Sequence, residues 1–350
     1  MYNAGMPKTI KQLSTLLEKG HINATDLPAL KEVVDNFSLA VTEQVADLID
    51  PSDDNDPIKQ QFIPSVEELN ITPLESADPI GDAVHETVKG IIHRYPDRCL
   101  FLPVQVCSVY CRFCFRRENV SQHDQTLTND EREAAFHYIE SHPEIWEVII
   151  TGGDPLILKP AMLQAMLQRI CAIPHVMVIR IHTRIPMVDS VRINDEMLQA
   201  LSIDKALFIA IHANHAKEFT EEAKNALHKL IHAGIPLISQ TTLLKGINDN
   251  IEALRDLMRA FVSNRIKPYY LHHADLAKGT AHFRTSIADG QALMRQLQGS
   301  YSGLCQPTYV LDIPGGFGKV PIGPQYITRE NDCLCTVTDY QGAVHTYAEE

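Results

Sequence analysis

From Cys99 onward, short apolar runs alternate with stretches of helical spacing, and this alternation restricts the fold more than any other feature of the chain. Strands are expected over 99–106, 146–151, 176–183, 206–212, 235–244, 268–273 and 308–311. Helices are expected over 128–141, opened by the capping box Thr128/Glu131, then over 160–172, 194–202, 218–232 (closed by Gly234), 249–263 and 286–301. Strands joined through such helices run parallel, because a parallel neighbour needs a long crossover. Six or more βα units, with no glycine-rich dinucleotide turn after the first strand, favour a full or partial β/α barrel over a doubly wound sheet. They also place the chemistry at the C-terminal ends of the strands. Upstream, 8–20 and 25–50 read as helical, and the prolines at 51–57 and 71–81 mark loops. The expected organisation is an acidic helical extension over 1–85, the barrel over 86–320 and a short C-terminal segment over 321–350. That last segment should hold a β hairpin at 336–347 turning at Gln341-Gly342.

Charge separates the same regions. The chain carries 31 basic and 44 acidic residues, net −13, and residues 1–85 alone hold 15 of the acids against five lysines. Phosphate binding needs clustered Lys and Arg, so a nucleic-acid partner is not expected. No apolar run approaches the ~18 residues of a membrane span, and the N-terminus lacks the apolar core of a secretory signal. A cytoplasmic location with no membrane partner is therefore expected. The acidic quarter reads as a solvated helical extension or, alternatively, as an acidic docking face.

Eight cysteines without a secretory signal point to reduced thiols or metal ligands. Three of them, Cys107, Cys111 and Cys114, form C-x3-C-x2-C directly after the first barrel strand. Three thiolates in one loop can hold three irons of a [4Fe–4S] cube and leave the fourth iron open. Zinc would need a fourth ligand at a compact spacing, and three buried core cysteines are the remaining alternative. Thr151-Gly152-Gly153-Asp154 ends the next strand, as a plain turn or as a place where backbone approaches a ligand closely. Lys319 follows a glycine-rich stretch, but Val320 after it breaks the P-loop pattern. It reads as an exposed loop lysine or as a Schiff-base residue for pyridoxal phosphate (PLP).

The cysteine loop, with an aromatic before its last cysteine, resembles that of the radical S-adenosylmethionine (SAM) superfamily. PTYVLDIPGGFGK at 307–319 resembles the PLP-lysine segment of the lysine 2,3-aminomutase family. HRYPDR at 93–98, CRFCFRR at 111–117, GGDP at 152–155, SQTTLL at 239–244, PYYLHHADLAKG at 268–279 and AHFRT at 281–285 follow the same family in order, from about residue 60 to 350. The resemblance implies that Cys107, Cys111 and Cys114 hold a [4Fe–4S] cluster and that Gly152, Gly153, Asp154, His212 and Gln240 contact SAM. It implies that Lys319 carries PLP, with Arg94 and Arg98 at the PLP phosphate. Arg116 would hold the substrate carboxylate, and Asp275 and Asp312 the ε-ammonium of L-lysine. The implied reaction is an isomerisation driven by a 5′-deoxyadenosyl radical, moving the α-amino group of lysine from C2 to C3. An external one-electron reductant is implied as partner.

Two aspartates suit a cationic substrate, whereas a glutamate-specific relative should carry basic or neutral residues there. A 2,3-aminomutase for another amino acid, or for a lysine of a translation factor, is the alternative within enzymes. Outside enzymes, the alternative is an iron–sulfur or zinc protein that only binds partners. The sequence departs from the longer family members where they carry a zinc-binding, cysteine-rich tail. Asn250 stands where a partner cysteine is expected, and Cys333 and Cys335 lie upstream of such a tail. No zinc is expected, and a homo-oligomer is left open.

Overall fold

A computed structural model describes residues 9–120 and 126–349. Ten strands of the main sheet, numbered in chain order, are β1 (Glu86–Val88), β2 (Ile91–Tyr95), β3 (Arg98–Val104), β4 (Glu147–Gly152), β5 (Val178–Thr183), β6 (Ala206–His212), β7 (Leu237–Leu243), β8 (Ile266–His273), β9 (Thr308–Ile313) and β10 (Gly318–Pro321). Each pairs with its sequence neighbour, so the order never reverses. The seven strands β3 to β9 are parallel, whereas β1–β2–β3 and β9–β10 are antiparallel. Sequential winding is the barrel pattern, and β1 and β10 remain edges among the described residues. The result is an open, partial β/α barrel.

The crossover helices form where the apolar spacing puts them. Ile251–Ser263 buries Leu254, Leu257, Met258 and Phe261, the i, i+3, i+4, i+7 face of an amphipathic helix. Asn250 is its N-cap, accepting the Ala253 N–H at 2.9 Å. Thr128 and Glu131 form the expected capping box of Asn129–Glu140. Where a parallel strand is covered on both faces, polar residues are buried along with apolar ones. In β5, Val178, Ile179, Arg180, Ile181 and Thr183 are all buried.

Three regions differ from the sequence reading. Residues 25–50 are not one helical stretch: helices Leu27–Asn36 and Glu43–Ala46 are separated by extended chain, in which Val41–Thr42 pairs with Thr9–Ile10. Extension there frees the Ser38 and Ala40 carbonyls to accept from Arg112 and the Tyr110 N–H. Lys319 is not in a turn but on β10, directly opposite Asp312 on β9. The expected C-terminal hairpin, Leu334–Thr338 with Val344–Ala348, is present but gains a third strand, Ile327–Asn331.

The N-terminal acids also behave differently from a solvated surface. Asp56 pairs with Lys217, Glu68 with Arg112 and Arg117, Glu75 with Arg284, and Asp82 with Arg94 and Arg116. Leu16, Leu30, Val45, Ile58 and Phe62 share one apolar core with barrel residues such as Ile150 and Ile211. Part of the acidic excess is thus complementary to bases elsewhere in the same chain.

Candidate active site

A cavity of about 620 Å³ runs through the barrel interior, lined from the first residues of β3, β4 and β9 to the loops at the C-terminal ends of the parallel strands. All fourteen residues selected from the sequence line it: Cys107, Cys111, Cys114, Gly152, Gly153, Asp154, His212, Gln240, Arg94, Arg98, Arg116, Asp275, Asp312 and Lys319. They come from β2, β3, β4, β6, β7, β9, β10 and the loops after β3, β4 and β8.

At one end are the three cysteines. Their loop is clamped from behind by buried Glu68, which accepts from Arg112 Nε at 2.9 Å and Nη2 at 2.6 Å and also binds Arg117. The Tyr110 hydroxyl donates to the Arg117 carbonyl at 2.8 Å, closing the turn. Burial and then the Arg112 and Arg117 charges act on Glu68 in opposite senses, and the arginines win, holding its pKa down. Burial pushes all three thiols up, Cys114 to about 11, and the thiolate charges of its neighbours raise Cys107 and Cys114 further. Among the described residues, no three His, Cys, Asp or Glu side chains converge on one ion position. Three thiols of one loop lining the same cavity would suit a [4Fe–4S] cluster, with one cysteine per iron. Iron would supply the positive charge that keeps buried thiolates ionised.

Gly152 and Gly153 press against the chain that leads into this loop. A Cβ on Gly153 would lie 2.3 Å from the Val106 carbonyl oxygen, and one on Gly152, at φ +112°, 2.5 Å from that of Val104. Asp154 does not offer its carboxylate freely. Its oxygens accept from the Thr183 hydroxyl (2.7 Å), the Arg184 N–H (2.7 Å) and the Leu156 N–H (3.1 Å). Burial nevertheless pushes its pKa up. It ties the end of β4 to the end of β5. His212 and Gln240 are register partners on β6 and β7. The His212 ring meets the edge of Phe113 in the cysteine loop at 5.6 Å, and its buried Nε2 has no partner. Burial drops its pKa well below the ordinary value, so the ring is neutral.

The other end holds Lys319. Its Nζ donates to Asp312 Oδ2 at 2.5 Å and lies 3.4 Å from His272 Nδ1, and its backbone N–H donates to the Tyr95 hydroxyl at 2.7 Å. Burial raises the Asp312 pKa, but the bond to His272 and the Lys319 charge outweigh it and hold the carboxyl well below the usual range. Asp275 lies in the same cavity with its pKa pushed up to about 7 by burial and by the Asp312 charge. Arg116 donates twice to Asp82 Oδ2, at 2.6 and 3.1 Å, and Arg94 donates to Asp82 Oδ1 at 2.9 Å. Arg98 stacks over the Tyr95 ring at 3.9 Å and pairs with Asp97. A phosphate-bearing aldehyde would suit these residues: a lysine amine and two guanidinium groups, in one of which the buried Arg94 Nε–H has no partner, line the same cavity.

Several residues of the site were not selected from sequence. Asp82 holds two of the predicted arginines, His182 and His272 line the cavity with buried Nε2 atoms that lack partners, and Arg184 touches Cys111. His182, Arg184 and His272 carry one sequence signal in common, their position at or next to strand ends, and His272 also lies in the family-like segment 268–279.

Comparison with known proteins follows the same division. A radical SAM superfamily model matches residues 101–258, and a lysine-2,3-aminomutase model matches residues 294–350. L-lysine 2,3-aminomutase of Clostridium subterminale is 36% identical over 318 residues, covering 91% of this chain and 76% of that protein. The protein of the same name from Methanococcus maripaludis is 39% identical, covering 91% of this chain and 74% of its own length. Glutamate 2,3-aminomutase of Clostridioides difficile is 36% identical over 98% of this chain and 79% of its length.

Proposed function

Because the chain belongs to the lysine 2,3-aminomutase family of radical SAM enzymes, we propose that it interconverts L-lysine and β-lysine (3,6-diaminohexanoate) with PLP as a second cofactor. The family makes it an aminomutase, an isomerase that uses a [4Fe–4S] cluster and SAM. PLP and the identity of the amino acid are this proposal's own content. The observation that carries it is the pair Asp275 and Asp312, two carboxylates facing one cavity beside Lys319. An anionic side chain such as that of glutamate would be repelled there, whereas an ammonium would relieve the charge that raises Asp275.

When bound, the cluster and SAM would supply the radical, and PLP would supply an aldehyde able to condense with the substrate amine. The residues position and exclude. Lys319 Nζ must lose its proton to bond covalently to a cofactor carbonyl, and Asp312 Oδ2 and His272 Nδ1 are the neighbours at hand. Asp312, which holds Lys319 Nζ in the ligand-free protein, would share a substrate ε-ammonium with Asp275. Arg116 would receive the α-carboxylate by exchanging it for Asp82, a like-for-like bidentate partner. Arg94 and Arg98 would bind the phosphate. Gly152 and Gly153 bring backbone to SAM beside the cysteine loop, with His212 and Gln240 on the adjoining strands. One cavity spans both ends, so that cofactors and substrate bound together would displace water from around a reactive radical. An external one-electron donor completes the reaction.

The test is an anaerobic assay of the reconstituted protein with SAM, PLP and reductant on lysine, glutamate, arginine and alanine. Lysine alone should be turned over, and Lys319→Ala should lose the PLP absorption band while keeping the brown cluster absorption. Turnover of glutamate in preference to lysine would refute the substrate.

A further inference from the structure

Behind the cysteine loop, one cation reaches a ligand sulfur. Arg184 is the first residue after β5, and its Nη1 donates to Cys111 Sγ at 3.1 Å. We propose that Arg184 sets the reduction potential of the cluster held by Cys107, Cys111 and Cys114, and that Glu218 and Gln61 fix it for that role. This rests on the reading of those cysteines as cluster ligands.

The side chain is held from several directions. Nη2 donates to Gln61 Oε1 at 2.6 Å and to Glu218 Oε2 at 2.7 Å. The backbone N–H is bound by Asp154 at 2.7 Å, and the guanidinium lies 4.5 Å over the Phe62 ring and 5.4 Å over Phe113. Glu218 is itself fixed, its Oε1 accepting the Asn214 and His215 N–H groups at 2.7 and 2.9 Å. All three of Arg184, Glu218 and Gln61 are buried.

A structural ion pair would need only Nη2. Here Nη1 is directed to sulfur, and the buried Nε–H has no partner. The other arginines of the neighbourhood are committed elsewhere. Arg112 and Arg117 are taken by Glu68 and by backbone carbonyls, and Arg116 by Asp82. Arg184 stays charged at any working pH. A fixed cation donating to a ligand thiolate favours the cluster state with one more electron, and the dry surroundings strengthen the effect. In the reaction, the cluster gains one electron from an external donor and passes it to the S–C bond of SAM. Arg184 would make the first transfer easier, with Glu218 moderating it. Arg184 is thus a positioning and tuning residue that acts through Cys111, and Gln61 makes the N-terminal segment part of the device.

The experiment is a mediated potentiometric titration of anaerobically reconstituted full-length protein, read by electron paramagnetic resonance without SAM or PLP. Arg184→Gln should lower the ratio of reduced to oxidised cluster at the wild-type midpoint about tenfold, equivalent to 59 mV for one electron. Arg184→Lys, which keeps the charge, should recover most of that loss. Glu218→Gln should shift the midpoint the opposite way. Full iron and sulfide content with Arg184→Gln and Glu218→Gln both at the wild-type midpoint would overturn the proposal. Should Arg184→Gln not fold, Glu218→Gln decides, and an unshifted or lowered midpoint there overturns it. A wild-type protein that assembles no cluster would overturn the ligand reading beneath it.

Discussion

The two ends of the cavity are built on opposite electrostatic plans. At the cysteine end the buried arginines are matched by carboxylates of the chain: Glu68 with Arg112 and Arg117, and Glu218 with Arg184. At the Lys319 end, where Asp312 already holds Lys319 and Asp82 holds Arg94 and Arg116, one carboxylate is left over. Asp275 carries a raised pKa in the same space as Asp312, and His182 and His272 keep nitrogens without partners. A loop that must present three sulfurs at fixed separations gains from a frame whose charges need nothing further. A site for a zwitterion with a cationic tail gains from charges that the ligand completes. The arginines of the first end are neutralised within the chain, whereas Asp275 at the second is held near the protonated form by burial and by the charge of Asp312.

The severest way to break this contrast is at the cysteines. Cys107→Ala, Cys111→Ala and Cys114→Ala should each abolish the cluster, read as iron per chain after reconstitution. Cys333→Ala, in the C-terminal sheet, should leave iron content unchanged, and equal loss there would dissolve the assignment. Next in size, Glu68→Gln leaves two buried guanidinium groups without their counter-charge. It should cost about 3–5 kcal/mol of stability in denaturant unfolding. A cost below about 1 kcal/mol would show that the charges are not matched as described.

At the Lys319 end the same kind of change should act on substrate instead. Asp275→Asn and Asp312→Asn should each weaken lysine kcat/KM by ~2–5 kcal/mol while retaining cluster and PLP bands. Arg116→Ala should damage all amino acids alike. Lysine turnover undiminished in both Asp variants would remove the ammonium site. The smallest expected effect sharpens the comparison by sign. The folded pKa of Asp275, about 7, lies above its unfolded value, so its contribution to stability is complete below that unfolded value. It is lost as pH rises through about 7. Asp275→Asn should therefore stabilise the ligand-free protein at pH 8, opposite in sign to Glu68→Gln. Because lysine needs the ionised carboxylate, its KM should also rise as pH falls below about 7. A flat profile between pH 6 and 8, with no stabilisation in the variant, would place Asp275 outside the cavity's charge balance.

Local spacing in the sequence determined the parts of this protein whose physics is local. The cysteine loop is one such part, because C-x3-C-x2-C brings three thiols together whatever the rest of the chain does. The alternating strands and helices are another, because apolar period and caps such as Thr128/Glu131 and Asn250 act over one or two turns. The resemblance to a family then supplied residues such as Asp275 and Lys319, which no spacing connects. Tertiary structure alone decided what each of these faces. It set Lys319 opposite Asp312 through a hairpin register and turned 37–42 into extended chain to serve the cysteine loop. It also sent Asp56, Glu68, Glu75 and Asp82 inward to bases far along the sequence. The reason is that a charge carries no information about its partner until burial removes water as the alternative. Only the packed fold makes Glu68 choose Arg112, Arg184 choose Cys111, and Asp275 share a cavity with Asp312.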